Sequence, residues 1–175
     1  NVVTGLAGVG LIKAALDTSR GESFTVKTLF YAFSNRSNRF LILQLIFTAV
    51  TTCFTLPVIP LNRYADAVDM NLIEYNAIYL GISAAAVFLT MLVTLRIVWA
   101  NYFMLDDISL DAIPALKKSL AFSKGRTFEI FYMKLSFLGM YILSYLSLMI
   151  GFIYVRPYAE VTFANYYITR KETVQ

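Results

Sequence analysis

Long apolar stretches alternate with short polar connections along the chain, and the lengths of those stretches carry the first expectation. The hydrocarbon core of a bilayer is about 30 Å thick, so a spanning helix rising ~1.5 Å per residue needs about 20 mostly apolar residues. Val2 to Leu16 is apolar apart from Lys13 and reads as the visible end of a membrane helix whose upstream part is missing. A polar stretch from Asp17 to Arg39 follows. In it Phe24, Leu29, Phe30 and Phe33 form an apolar face opposite Lys27 and Arg36, the pattern of a helix lying on a membrane surface. The second span runs from about Phe40 to Leu61, with Pro57 and Pro60 near its far end, where a missing backbone donor is easiest to accommodate. After a polar connection from Asn62 to Asn76, a third span from about Ala77 to Leu105 is long enough to cross with tilt or to project beyond the lipid.

Ala112, Ile113, Leu116 and Leu120 recur at helical spacing while Lys117, Lys118 and Lys124 fall elsewhere, which predicts a second surface helix over 112–124. Ser109 or Asp111 would cap it, and Pro114 in its first turn has no intrahelical donor to lose. Phe128 to Val155 would make ~42 Å of continuous helix, too long for one crossing. A break at 148–151 divides it into a span from about Phe128 to Ser147 and a more polar returning helix from about Phe152 to Thr169, kinked by Pro157. The expected fold is all-α: one membrane-embedded domain over 1–175, a polytopic bundle with about five membrane helices visible, and amphipathic surface helices.

Composition agrees, since 58% of residues are hydrophobic and only 15% charged, which suits a lipid solvent better than water. The net charge of +4 sits between the spans instead of forming a stripe, which argues against nucleic acid. Arg20, Lys27, Arg36 and Arg39 mark one connection, Lys117, Lys118, Lys124 and Arg126 another, and Arg63 stands nearly alone between them. The bias of Lys and Arg toward the cytoplasmic side places connections 17–39 and 106–129 there, joined by Arg170 and Lys171 if the last helix returns. With no histidine and one cysteine, Cys53, the chain lacks His-based acid–base chemistry, an intramolecular disulfide and a cysteine zinc cluster. Neither catalytic residues nor a cofactor are expected.

Four sets of residues stand out as candidate sites. Asp106, Asp107 and Asp111 have a spacing that could gather a divalent cation, against the plainer reading of a helix cap with two solvated carboxylates. Arg96, ~15 Å of helix before Asp106, and Lys134, near the start of the following span, have side chains long enough to reach lipid headgroups. Arg156 and Glu160 fall at intramembrane depth, where an unpaired charge costs at least ~2.5 kcal/mol, and their i,i+4 spacing allows a pair. With Tyr158, Thr162, Asn165 and Tyr166 they would line a polar pocket; alternatively the pair locks the last helix to the bundle. The aromatic pairs Tyr102-Phe103, Phe131-Tyr132 and Tyr166-Tyr167 read as interfacial belts, and Gly81, Ser83, Ala84, Ala85 and Ala86 permit close helix contact.

Several of these features occur in a fixed order. Asp106-Asp107 is followed by Ala115 to Ser119, Lys124-Gly125, Leu135-Ser136-Phe137-Leu138-Gly139, Gly151, Pro157-Tyr158, Thr162 and Ala164-Asn165-Tyr166-Tyr167. In this the chain resembles a family of bacterial membrane proteins catalogued as domain of unknown function 975. Gly5, Gly10, Arg20-Gly21-Glu22, Leu29-Phe30 and Phe33 extend the resemblance to the front half. Met140, where the family has Trp, and Lys134, at a position often acidic or neutral, depart from it. The resemblance implies a six-helix bundle in a bacterial cytoplasmic membrane, the first helix absent here, and a family of no established role. The expected function is a non-catalytic accessory or scaffold component of an envelope complex, in contact with membrane lipids and with a membrane-protein partner or a second copy of itself. The alternative is a transporter or a lipid- or small-molecule-handling protein that uses a polar intramembrane site near Arg156 and Glu160.

Overall fold

The computed structural model describes residues 2–23, 25–34, 37–56, 71–147 and 149–171. In chain order these form α1 (Val2–Ser19), a 3-10 helix (Val26–Phe30), α2 (Tyr31–Ser34), α3 (Ser37–Thr55), α4 (Leu72–Ile97), α5 (Trp99–Asp106), α6 (Ala112–Ser123), α7 (Thr127–Ser136), α8 (Leu138–Leu146) and α9 (Phe152–Lys171). No strand occurs among the described residues. Phe24, Arg36, Pro57, Pro60 and Arg63, all singled out above, and the first residue of the expected break at 148–151 lie outside them.

Asn71 starts α4, its side chain accepting the Glu74 N–H at 2.9 Å. Val98 keeps helical angles (φ −59°, ψ −32°), so α4 runs into α5 as one rod of ~50 Å, well beyond a bilayer core. Its two ends have different surroundings. Ile73, Leu80, Val87, Phe88 and Leu89 are exposed, whereas Leu95, Ile97 and every residue from Trp99 to Leu105 are buried. One end presents apolar surface outward and the other is wrapped by protein. Segments 38–55 and 73–106 are long and apolar enough to cross a membrane, and only 17% and 11% of their apolar windows are buried inside the chain. A core helix of a water-soluble protein would bury most of such a window.

The structure divides the first expected surface helix and forms a helix at the second. Instead of one helix over 24–36, the 3-10 helix and α2 fold back on α1, where Gly10 admits the Leu29 backbone: a Cβ at Gly10 would lie 1.9 Å from the Leu29 carbonyl oxygen. Phe30 and Phe33 remain exposed, while Ala32 is fully buried. α6 forms as expected, and the face it packs on the bundle lies beside the one that carries Ile113 and Leu120. Ala112, Ala115, Ser119, Phe122 and Ser123 are inside, and Ile113 and Leu120 are exposed. The reason is polar: the Ser119 and Ser123 hydroxyls donate to the Arg96 carbonyl, Ser123 at 3.2 Å, and small side chains let α6 approach the rod closely enough to do so.

The expected break after Phe128–Ser147 is present between α8 and α9, with Met149 at φ 68°. Gly151 is packed so tightly that a Cβ would lie 2.7 Å from Ser144 Cα. A second discontinuity, at Phe137 between α7 and α8, was not expected. α9 does return, since Arg170 Nη2 meets Glu129 Oε1 at 3.0 Å in the first turn of α7. Basic residues gather at this end: Asp106 pairs with Arg20 and Lys171 and accepts from Tyr167 Oη at 3.2 Å. Arg39 donates to the Ile108 and Ser109 carbonyls and pairs with Asp111. Two of the three aromatic pairs read as interfacial belts are core instead, because Trp99 stacks among Tyr102, Phe122, Tyr166 and Tyr167, with Phe103 against Tyr167.

Candidate functional site

α1, the α4–α5 rod, α7–α8 and α9 converge on a cavity of about 330 Å³. Ile12 enters from α1, Met91, Val98, Trp99 and Tyr102 from the rod, Lys134 from α7, and Glu160 and Phe163 from α9, with Phe137 and Tyr141 completing the wall. Helical spacing selects them. Trp99 and Tyr102, Lys134 and Phe137, and Glu160 and Phe163 are each three apart, so every element lays one face on the cavity.

The wall is aromatic and aliphatic except for one cation and one anion. Tyr102 Oη donates to Glu160 Oε2 at 3.2 Å, which uses one carboxylate oxygen and orients the other. No ion pair joins Lys134 to Glu160 among the described residues. Trp99 is 1% exposed, and its indole N–H has no hydrogen-bond partner among the described residues. A buried donor left unmatched costs roughly 1–3 kcal/mol. The arrangement offers an ammonium and a carboxylate within apolar walls, the usual make-up of a small-molecule site.

The sequence-expected polar pocket on the last helix is not the one formed. Glu160 is in the cavity, but Arg156 is exposed and makes no ion pair with it. α9 buries Val155, Ala159, Ala164 and Tyr167, which turns Tyr158 and Asn165 to the opposite, exposed side. Thr162, on that side too, gives its hydroxyl to the Tyr158 carbonyl at 3.0 Å. Arg156 shares the buried face but lies near the start of α9, where Ile153 and Tyr154 are also exposed. Tyr166 packs on Trp99. Glu160 and Lys134, selected separately, thus come together, while Trp99 and Tyr102 were missed. The lone Trp three residues before a Tyr on the far part of an over-long span was the available signal.

Arg96 is exposed, and its Nε donates to Thr127 Oγ1 at 3.4 Å. The three aspartates do not form a metal site, because each has its own partners. Asp106 is held by Arg20, Lys171 and Tyr167, and Asp111 by Arg39 at 3.0 Å. Asp107 accepts from the Ser109 hydroxyl at 2.6 Å and backbone N–H at 2.9 Å, bonds that hold its carboxyl below the usual range. Among the described residues no group of three His, Cys, Asp or Glu side chains is placed to hold a metal ion.

A family model described as "Protein of unknown function (DUF975)" matches residues 2–172. Neither a curated protein nor a solved structure matches the chain.

Proposed function

The chain belongs to the DUF975 family of proteins of unknown function, and from its cavity we propose a multi-pass membrane protein that binds a small zwitterionic or amphipathic molecule between its helices. The observation that carries this is the pairing of Lys134 and Glu160 across aromatic walls without a bond between them. A charge in apolar surroundings is costly unless matched. A ligand with an anionic group toward Lys134, a cationic group toward Glu160 and an apolar body against Trp99 and Phe163 satisfies all three demands. In this reading α1, α3, α4, the α7–α8 pair and α9 lie in a bacterial cytoplasmic membrane. The end bearing Arg20, Arg39, Arg170 and Lys171 faces the cytoplasm, as expected from the inward bias of basic residues. The role is binding or transfer and not catalysis. The scaffold reading drawn from the sequence rests on outward faces that lipid covers equally well, so the cavity is the better guide.

Mass spectrometry of small molecules extracted from the purified chain tests the proposal. Wild type and the Arg156→Gln control are expected to carry the same compound, and Glu160→Gln and Lys134→Met to lose it while melting near wild type. Equal retention in all four proteins, or none in wild type, refutes the reading.

A further inference from the structure

Between α4 and α7 a second concavity, of about 510 Å³, opens on the outside of the bundle. Phe88, Leu92, Phe128 and Phe131 wall it, and Arg96, Gly125 and Thr127 complete its lining. From Phe88 to Arg96 it follows ~12 Å of α4. Arg96 lies ~36 Å of helix after Leu72, at the point where the rod passes from exposed apolar surface to protein-covered surface. On the proposed membrane reading, on which this inference rests, that level is the boundary between acyl chains and headgroups.

We infer that this groove holds one anionic phospholipid, its phosphate on the Arg96 guanidinium and one acyl chain along Leu92, Phe88 and Phe131. Charge complementarity selects the occupant. Arg96 is exposed and has no carboxylate partner among the described residues, and none of the groove's lining residues is acidic. Glu129, next to Phe128 in the chain, is engaged by Arg170 at 3.0 Å. Guanidinium matches the geometry of phosphate oxygens with two parallel N–H bonds, whereas four apolar side chains offer nothing to a headgroup and suit a hydrocarbon chain. Phe131 and Lys134 are one turn apart on α7, and the groove and the internal cavity share no lining residue, so the lipid lies beside the cavity and not within it.

The test is titration of the detergent-purified chain with phosphatidylglycerol, with diacylglycerol of the same acyl chains as control and adducts counted by native mass spectrometry. Wild type is expected to bind one phosphatidylglycerol saturably and to show no such adduct with diacylglycerol. Arg96→Gln should weaken binding about tenfold, equivalent to ~1.4 kcal/mol. Leu92→Trp, which fills the groove and leaves the charge in place, should abolish the adduct without lowering the melting temperature. Equal binding by Arg96→Gln and wild type, equal binding of the two lipids, or a dimer mass in place of the lipid adduct overturns the inference. Alkaline extraction of the source membranes separates the two failures. A chain that washes off refutes the membrane reading itself, and an inserted chain without phosphatidylglycerol preference refutes this inference alone.

Discussion

Gly8 and Gly10 lie two residues apart on α1, and alanine at these two positions is expected to change stability in opposite directions. At Gly10 a Cβ would sit 1.9 Å from the Leu29 carbonyl oxygen, 2.5 Å from its carbon and 2.8 Å from its Cα. That is about 1.5 Å inside ordinary van der Waals contact, and the atoms met are backbone, which has no rotamer through which to escape. Gly10→Ala therefore forces the 3-10 helix off α1. Overpacking of this kind costs about 1–3 kcal/mol, and loss of the docked segment brings it to the upper end. Gly8 has no atom within 4 Å of the same construction, so Gly8→Ala meets nothing and gains the helix preference of alanine, roughly 0.5–1 kcal/mol. For a chain of this length ~1 kcal/mol moves the midpoint by about 2–4 °C. Thermal unfolding in detergent, read from the emission of the buried Trp99, should show Gly10→Ala melting ~6–10 °C low and Gly8→Ala ~2 °C high. Shifts of the same sign and size would show that Leu29 does not pack on α1 as described.

Asp106 joins the ends of α1, α5 and α9 through Arg20, Lys171 and Tyr167, so Asp106→Asn should cost about 1–3 kcal/mol by thermal unfolding. Adding Arg20→Gln to Asp106→Asn should cost little more, and full additivity would show that the two do not interact. Replacing both Ser119 and Ser123 by Ala removes the hydroxyl donors to the Arg96 carbonyl and should lower stability by about 1–2 kcal/mol, while Lys117→Ala on the exposed face should leave the midpoint unchanged. Cys53, the chain's one cysteine, is exposed near the end of α3 opposite the basic cluster. A membrane-impermeant maleimide should label it from the outer face of intact cells. A Cys53→Ser, Ser109→Cys protein should react only after lysis, and the reverse pattern would invert the proposed orientation.

The amino-acid sequence by itself determined the helical class, the break between α8 and α9, the gathering of basic residues at connections, and membership of the family. These depend on run length, composition and motif order, all of which are local. It also contained the two charges of the cavity, because any ionisable residue in so apolar a stretch stands out. The tertiary structure decided what faces what. Ile113 and Leu120 were expected on the membrane-surface side of α6 and are exposed, whereas nothing in the sequence showed that Ser119 and Ser123 lie inside, where they meet a carbonyl on the rod. Arg156 and Glu160 looked like a pair, yet Glu160 meets Tyr102 from a helix 58 residues earlier and faces Lys134 across a void. Helical spacing fixes which residues share a face and says nothing about which face another helix covers. Where so many large apolar side chains remain on the exterior, hydrophobicity cannot distinguish it from the core, and only packing does.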